Sequence, residues 1–287
     1  MTEPDFIAAL KALASDPAAR NLDDDAAVLE LGGEMLILTH DTLVQGVHVR
    51  EDEDPADIAW KLVAVNLSDL AAKGAKPLGV LVSHMLGDGD ARFVEGLGEI
   101  LREYDVPLLG GDTVSAQGRR VWGCTAIGRA THTPVPERSG ARPGDAVFIG
   151  GPIGHAMLGM DAVEKRAGPY HLAYTRPRPQ LTLGQTLAPH VSAMMDVSDG
   201  LLLDASRIAA ASSCSIDLSH DAVAKVAPEG WAGDAMRWGD DYVLLATGPA
   251  DLAARFDIHR IGTVLPEGEH EVLLDGEAAK RPYGYTH

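Results

Sequence analysis

A proline-rich segment near the middle of the chain constrains the fold strongly, because it resists both helix and sheet. Residues 131–144 carry Pro134, Pro136 and Pro143 within a polar run. Proline lacks the backbone N–H that helices and sheets use, and its ring fixes its own φ angle. At 287 residues the chain also exceeds the usual size of one domain. We therefore expect two domains, 1–133 and 134–287, joined through this segment, and one large α/β domain is the alternative.

Helical and strand patterns are mixed in both halves, which predicts an α+β fold. The clearest helix start is Asp54-Pro55, where Asp can cap the first turn and Pro fits its geometry. This helix is expected to run through Leu70 and to end near Gly74. Strand patterns are predicted at 35–38, 78–82 and 121–127 in the first half, and at 146–149, 194–198 and 242–247 in the second.

The charge balance excludes several classes of partner. The chain has 42 acidic and 24 basic residues, a net charge of −18, which disfavours nucleic acid and anionic membranes as partners. No stretch approaches the ~20 apolar residues of a membrane helix. The N-terminus lacks the basic and apolar regions of a secretory signal, so we expect a cytoplasmic protein. Cys124 and Cys214 lack the spacing of a thiolate zinc site.

One carboxylate falls on a helix face that is meant for the core. Ile58, Leu62 and Val65 follow 3.6-residue spacing, and continuing this stripe leads to Asp69. A buried carboxylate is normally paired, neutralised or bound to a metal. The alternative is that Asp69 lies near the helix end and simply reaches solvent.

Further acids lie at the predicted ends of strands and helices. Each of them alone is an ordinary turn residue, and Asp199 alone is an ordinary helix cap. As a set they have no adjacent Lys or Arg, and oxygen-rich, base-poor clusters suit magnesium. The chain also lacks the GxxxxGK[ST] motif, so metal ions are expected to hold a polyphosphate. The set comprises Asp25, Asp41, Asp69, Asp112, Asp196 and Asp199.

The glycine-rich stretch Gly150–Gly154 precedes a predicted helix and has two interpretations. It could bind phosphate at the helix N-terminus, or it could be a tight strand-to-helix turn. The sequence favours neither.

An ordered set of motifs resembles the thiamine-monophosphate kinase family, within the larger group that includes aminoimidazole ribonucleotide synthetase and selenophosphate synthetase. The resemblance spans nearly the whole chain. It rests on Asp24–Val28, Asp41–His48, Val65–Ala75, Gly110–Thr113, Arg138–Asp145, Asp196–Leu201 and Gly239–Tyr242.

This resemblance implies a fold and an assembly. The sheet of the N-terminal domain would pair with that of a second subunit into a barrel-like homodimer. A C-terminal α+β domain would close over ATP, which would lie between the two domains together with several Mg²⁺ ions.

The resemblance also implies residue roles, with His40 contributing only its backbone carbonyl. The C-terminal stretch Tyr283–His287 resembles the aromatic tail of the family. The implied magnesium positions are Asp25, Thr39, His40, Asp41, Asp69, Asp112, Asp196 and Asp199, the ATP positions are Gly111, Asp112, Arg138 and Ser198, and the substrate positions are His48, Asp240 and Tyr283.

The implied reaction is transfer of a phosphoryl group from ATP to thiamine monophosphate, giving thiamine diphosphate and ADP. No general base is expected, because the acceptor phosphate is already largely ionised at neutral pH. Without the resemblance, His48 is an ordinary half-exposed strand residue and Asp240 an ordinary turn residue. Two alternatives remain: a sibling enzyme that activates a carbonyl or amide oxygen, and a non-enzymatic protein that binds divalent cations.

Overall fold

The computed structural model describes residues 3–163, 168 and 170–285. The helices in this part of the chain are α1 (Glu3–Lys11), a 3-10 helix (Pro17–Leu22), α2 (Pro55–Ala72), α3 (Asp90–Glu103), α4 (His155–Val163), α5 (His171–Thr175), α6 (Leu181–Leu187), α7 (Leu201–Ser212), α8 (His220–Ala224), α9 (Ala232–Ala235) and α10 (Leu252–Arg255). None of them is long and apolar enough to cross a membrane.

The strands form two sheets, so the predicted mixture of helix and strand is confirmed. The strands are β1 (Ala27–Leu31), β2 (Glu34–Val44), β3 (Ala75–Met85), β4 (Leu108–Val114), β5 (Val121–Ala130), β6 (Ala146–Ile149), β7 (Ala193–Asp196), β8 (Cys214–Leu218), β9 (Leu244–Gly248), β10 (His259–Pro266), β11 (Val272–Leu274) and β12 (Glu277–Ala278).

Each sheet is mainly antiparallel and open at its edges. The first has the order β1-β2-β5-β3-β4, and only β3 and β4 run parallel. The second has the order β12-β11-β8-β10-β6-β9-β7, with β8 and β11 parallel. The described chain by itself therefore contains two open sheets, and neither of them closes into a barrel.

The helix α2 forms where the sequence predicts it. The side chain of Asp54 accepts a hydrogen bond from the backbone N–H of Ala56 at 2.9 Å, and Pro55 occupies the first turn. The helix ends at Lys73, and Gly74 follows with a φ of +58°, a left-handed conformation that glycine adopts without strain.

Burial of α2 is nearly complete, since 15 of its 18 residues are buried. Its first turns pack with α3 and the strands of the first sheet in one hydrophobic core. Its last residues, Ala71 and Ala72, belong to another core with Phe148, Met194 and Leu244 of the second sheet. The helix therefore joins the two sheets through its own packing.

The last turn of α2 packs against α6 so closely that backbone atoms of the two helices are in contact. A Cβ atom added at Gly184 of α6 would lie 1.9 Å from the carbonyl oxygen of Ala71, and one added at Gly74 would lie 2.5 Å from Cβ of Ala188. Real Cβ atoms do not approach other atoms so closely. Glycine at both positions is therefore required for this contact, which we call the glycine seam.

The proline-rich segment 131–144 contains neither helix nor strand and connects β5 to β6. Its structure agrees with the irregular connection that the prolines predict. The exact domain limits, 1–133 and 134–287, stay a prediction.

A carboxylate of the protein occupies the start of α4. The backbone N–H of Gly154 donates to both carboxylate oxygens of Asp241, at 2.9 Å each. This contact favours the tight-turn interpretation of Gly150–Gly154 over phosphate binding, because a side chain of the protein already accepts the hydrogen bond of this backbone N–H.

Replacing Asp241 with Asn should flatten the pH dependence of stability. Burial raises the pKa of Asp241 to about 8, against hydrogen bonds from the backbone of Gly154 and Ala156. The folded protein thus keeps a proton that the unfolded chain has lost, so wild-type stability falls as pH rises from 6 through 8. Asn cannot ionise and still accepts the hydrogen bonds. Urea unfolding at pH 6 and pH 8.5 should show a smaller loss in the variant, by about 1 kcal/mol or more. An equal loss in both proteins would contradict this role for Asp241.

Candidate active site

Three carboxylates from three separate elements converge in the interior. Asp25 precedes β1, Asp69 lies in the last turns of α2, and Asp196 ends β7. Each offers an oxygen atom, and these atoms all lie within 4.8 Å of one another. Serine and threonine hydroxyls support the group: Ser68 donates to Asp196 at 2.6 Å, and Thr39 donates to Asp69.

The strand β2 adds a fourth acid on the same side. Side chains alternate between the two faces of a strand, so Thr39 and Asp41 share one face and His40 takes the other. The carboxylate of Asp41 interacts with that of Asp69. The His40 side chain is instead exposed and lies 2.8 Å from the Thr125 hydroxyl. The predicted role of His40 is thus limited to its backbone.

Burial and mutual repulsion disfavour full ionisation of these acids. Burial is the main cause that raises the pKa of Asp69 well above its usual range, and the charges of Asp41, Asp196 and Asp25 add to it. Burial also raises the pKa of Asp196 to about 8 and raises that of Asp41. A cation between them would remove this penalty.

Basic residues do lie beside Asp25, which corrects the interpretation that the acids have no basic partners. Lys73 lies 2.7 Å from one oxygen of Asp25, and Arg138 donates to the other at 2.6 and 2.8 Å. Burial favours a raised pKa for Asp25, but these two cations outweigh it and the pKa is lowered. Lys73 also pairs with Asp24. The sequence shows only which residues are neighbours along the chain, so it could not reveal partners such as Arg138 that lie far away in the sequence.

The turn after β7 depends on a buried acid that the sequence analysis missed. Asp204 is fully buried, and its carboxylate accepts hydrogen bonds from the backbone N–H groups of Ser198 and Asp199 at 3.0 and 3.1 Å. Arg207 pairs with both Asp199 and Asp204, at 2.7 and 2.6 Å. Asp204 shares a 3.6-residue stripe with Leu201 and Ile208, the same signal that identified Asp69.

A cavity of about 590 Å³ connects the acids with a second group of polar and aromatic residues. The acids in its wall are Asp41, Asp69, Asp196 and Asp199, together with Ser198. Elsewhere the wall contains His48, Tyr174, Trp238, Asp240, Tyr242 and Tyr285. Four of the eight predicted metal positions and two of the three predicted substrate positions therefore line one cavity.

His48 and Asp240 have defined orientations in this wall. Backbone N–H of Val44 donates to Nδ1 of His48 at 3.0 Å, so the neutral ring carries its proton on Nε2. Asp240 accepts hydrogen bonds from the hydroxyl of Tyr242 at 2.9 Å and from Lys61 at 2.8 Å. Both residues are partly exposed.

Gly111 and Asp112 lie away from the acids within one chain. Both belong to β4, where every residue is exposed. The strand register aligns Asp41 with Cys124, Val82 and Gly111 in successive strands. Three strand spacings separate the ends of this row, about 14 Å. Their predicted metal and ATP roles stay predictions.

The aromatic tail differs from the expectation. Tyr283 is buried in the core beneath the second sheet, with Arg281 stacked 4.7 Å from its ring centre, and it is absent from the cavity wall. Tyr285 lines the cavity, and its backbone N–H donates to the carbonyl of Asp199 at 3.0 Å. Residues 286 and 287 of the predicted tail lie outside the described residues.

The donors of the cluster fit Mg²⁺. Carboxylate and hydroxyl oxygens are the ligands that hard divalent cations prefer. Burial is the main cause that raises the pKa values of Asp69 and Asp196, and the charges of neighbouring carboxylates add to it, so a bound cation would relieve both effects. Asp25, Asp41, Asp69 and Asp196 are the residues that could hold such ions.

Similarity to known proteins agrees with this geometry. Residues 23–130 match the family model described as AIR synthase related protein, N-terminal domain. Thiamine-monophosphate kinase from Methanopyrus kandleri is 34% identical over 269 residues, which cover 88% of this chain and 85% of that protein. The chain belongs to the thiamine-monophosphate kinase family. The family member from Caulobacter vibrioides is 40% identical over 227 residues, and the match spans 75% of this chain and 64% of that relative.

A solved member of the family has the same fold. The structure of AaThiL complexed with AMPPCP and TMP superposes with a TM-score of 0.89 at 26% identity, and covers 100% of this chain and 97% of that one. The two-sheet architecture is thus shared over the full length.

Replacing Asp41 with Asn should abolish most activity without weakening the metal-free protein. The change removes one of several repelling charges, so unfolding without metal should need the same or slightly more free energy. Activity should fall about 100-fold or more, because charge stabilisation of the reacting groups is lost. At Mg²⁺ and ATP-analogue concentrations about 100-fold above their dissociation constants, wild type should gain roughly 2.7 kcal/mol per linked site, and the variant clearly less.

Thermal melts with and without these ligands measure the difference. Asp257→Asn serves as the matched control, because Asp257 is exposed and does not line the cavity, and this variant should behave as wild type. Marked instability of Asp41→Asn without metal, or an undiminished ligand effect, would make Asp41 structural.

Proposed function

We propose that the chain transfers the terminal phosphoryl group of ATP to thiamine monophosphate, giving thiamine diphosphate and ADP. The observation that carries the proposal is the convergence of four carboxylates, those of Asp41, Asp69, Asp196 and Asp199, in a cavity that also contains His48 and Asp240. The fold also matches that of AaThiL, whose structure contains AMPPCP and TMP. The reaction would serve thiamine diphosphate biosynthesis.

Magnesium ions would bind to the acids of the cavity. Asp25, Asp41, Asp69 and Asp196 would provide carboxylate oxygens, with Thr39, His40, Asp112 and Asp199 as further ligands on the basis of the motifs. When bound, the ions would neutralise both phosphate groups and hold them in line. Lys73 and Arg138 already compensate Asp25, so the uncompensated acids Asp41, Asp69 and Asp196 are the stronger candidates.

The residues on the acceptor side would bind and orient thiamine monophosphate. His48 presents an Nε2–H donor, which suits a polar oxygen or nitrogen of the acceptor. Asp240 has a carboxylate that can pair with the cationic thiazolium ring of thiamine. Tyr285 takes the place of Tyr283 as the tail residue at the substrate, because Tyr285 lines the cavity and its ring could stack on a ring of the acceptor. The acceptor phosphate is itself the nucleophile, so a general base is unnecessary.

The nucleotide would lie between the two halves. Ser198 lines the cavity, and Arg138 lies beside the acids through Asp25. Both could contact ATP, together with Gly111 and Asp112 of the motif. Residues 1–133 would then supply most metal ligands and the dimer contacts, and residues 134–287 would close over the nucleotide.

The exposed face of the first sheet supports a homodimer. The helices α2 and α3 cover one face, whereas Leu81, Leu109 and Val114 are exposed on β3 and β4. An exposed apolar edge strand is an aggregation hazard unless it is covered. A second copy of the chain is the occupant that we propose, which would extend the open sheet toward a barrel-like assembly.

Replacing Leu109 with Asp should therefore dissociate the dimer, because it places a charge in the proposed apolar contact. Sedimentation equilibrium should give twice the chain mass for wild type and close to the single mass for the variant. Val94→Asp alters an equally exposed apolar residue on α3, away from this sheet, and should leave the dimer intact. A monomeric wild type would refute the assembly.

Two other functions can be separated from this one. A sibling enzyme that activates a carbonyl or amide oxygen would release phosphate with a different acceptor, and a cation-binding protein would release no ADP. The Gly239–Tyr242 motif and the acceptor-side residues of the cavity favour the kinase.

The decisive test is product formation. With ATP and Mg²⁺, thiamine monophosphate should yield thiamine diphosphate and ADP in equal amounts, as measured by chromatography. Unphosphorylated thiamine should not react, because the acceptor phosphate must reach the metal-binding acids. Equal turnover of free thiamine would overturn the assignment of the acceptor, and no ADP release would overturn the kinase assignment.

A further inference from the structure

A fully buried lysine lies behind the wall that His48 and Asp240 form. Lys61 belongs to α2, and its side chain has no exposed surface. Its Nζ donates to the carboxylate of Asp240 at 2.8 Å and to the carbonyl oxygen of His48 at 3.2 Å. The same Nζ lies 4.1 Å from the ring centre of Tyr174, a cation–π distance. All three partners line the cavity.

A core lysine calls for an explanation. Removing an ammonium group from water is unfavourable, and an apolar residue of similar length often fills such a place without loss of stability. The neighbouring positions of α2 are apolar and also buried. The ammonium of Lys61 is therefore not needed to fill the core, but it does fix three groups of the cavity wall.

The segment that contains Asp240 adopts an unfavourable backbone conformation. Asp240 and Tyr242 have φ angles of +64° and +51°, in the left-handed region that non-glycine residues seldom occupy. Such conformations persist when the surrounding structure holds them. The backbone N–H of Asp240 donates to Ser198, that of Tyr242 donates to Val197, and both bonds measure 2.8 Å.

The side chain of Asp240 is held as firmly as its backbone. One carboxylate oxygen accepts from Lys61 and the other from the hydroxyl of Tyr242. Each oxygen can accept a further hydrogen bond, and Asp240 lines the cavity. The carboxylate therefore faces the acceptor from one defined position.

We propose that Lys61 is a positioning residue for the acceptor: it fixes the carboxylate of Asp240 and the ring of Tyr174 where the cationic thiazolium ring of the acceptor binds. This inference rests on the proposed function, since it concerns the acceptor side of that reaction. Lys61 itself does not touch the substrate, because its side chain is fully buried.

A merely structural role is the competing explanation, because a second acid lies close by. Glu53 is buried, and its Oε1 atom has no hydrogen-bond partner among the described residues. Burial raises the pKa of Glu53 to about 6; the charge of Lys61 opposes this increase, and that of Asp240 adds to it. Lys61 thus also compensates two acids, and loss of its charge would affect stability. The experiment must therefore separate a loss of acceptor binding from a loss of folding stability.

Two buried lysines on one helix allow a matched comparison. Lys61 and Lys73 are both fully buried, and they lie about 18 Å apart along α2. Lys61 pairs with Asp240 on the acceptor side, whereas Lys73 pairs with Asp24 and Asp25 beside the metal-binding acids. Loss of either charge should destabilise the protein in a similar way, but the two losses should affect different substrates.

The test compares Lys61→Met and Lys73→Met with wild type, and uses Lys76→Met, at an exposed position, as the control. Lys61→Met should raise the KM for thiamine monophosphate about tenfold or more and leave the KM for ATP within about twofold, because misplacement affects the acceptor alone. Lys73→Met should affect ATP more than the acceptor. Calorimetric titration with each ligand should show the same split. Equal effects of Lys61→Met on both substrates would overturn the proposal.

A double variant keeps the test valid if Lys61→Met folds poorly. Lys61→Met combined with Asp240→Asn removes one of the two acidic charges that Lys61 compensates and should recover part of the stability. Its acceptor affinity should match that of Asp240→Asn alone, because residues that act as one unit show non-additive effects. Full additivity would show that Lys61 acts independently of Asp240 and would overturn the proposal.

Hydrogen exchange gives a readout that needs no substrate. In Lys61→Met, the amides of Asp240 and Tyr242 should exchange at least about tenfold faster, while amides of the second sheet keep their wild-type rates. Unchanged exchange at these two amides would refute the positioning role. Failure of wild type to phosphorylate thiamine monophosphate would instead refute the proposed function, so the two failures are distinguishable.

Discussion

Burial of the helix α2 between two sheets is the constraint on which the site depends. Its 18 residues pack against the first sheet at one end and against the second at the other. A helix that is buried on all sides cannot expose its polar residues to solvent, so each needs a partner within the protein. Lys61, Asn66, Ser68 and Asp69 meet this need through groups that line or support the cavity. The burial of α2 thus determines where many of the polar groups around the cavity lie.

The acids of the cavity differ in how their charge is compensated. Asp25 has Lys73 and Arg138 as partners, and its pKa is lowered. Asp69 and Asp196 lack comparable neutralisation, and burial raises their pKa values. The protein therefore fixes one permanent negative charge and leaves the others dependent on protons or cations. This division is consistent with a site that binds metal together with substrate.

The helix α2 and Asp69 could be predicted because local rules determine them: a capping residue, a terminal glycine and helical spacing. The strand ends could not, since Asp41 and Asp112 were expected at strand ends and lie within β2 and β4. Asp204 follows the same stripe rule, and the outward side chain of His40 follows from strand alternation. The pairing of Arg138 with Asp25 joins residues 113 positions apart, and no local pattern contains it. Tyr285 lines the cavity and Tyr283 does not, because the C-terminal chain passes over Asp199. Only the tertiary structure defines this path. The exact limits of the domains and the roles of Gly111 and Asp112 stay predictions.

The glycine seam has a mechanical consequence. Because α2 and α6 touch through backbone atoms at Gly184 and Ala71, no side chain acts as a spacer between them. A single methyl group on residue 184 would push α6 away from the end of α2 that contains Asp69. The opposing acid, Asp196, lies on β7, which packs against the same helix. The close contact between the two backbones therefore helps to fix the position of the end of α2 that contains Asp69.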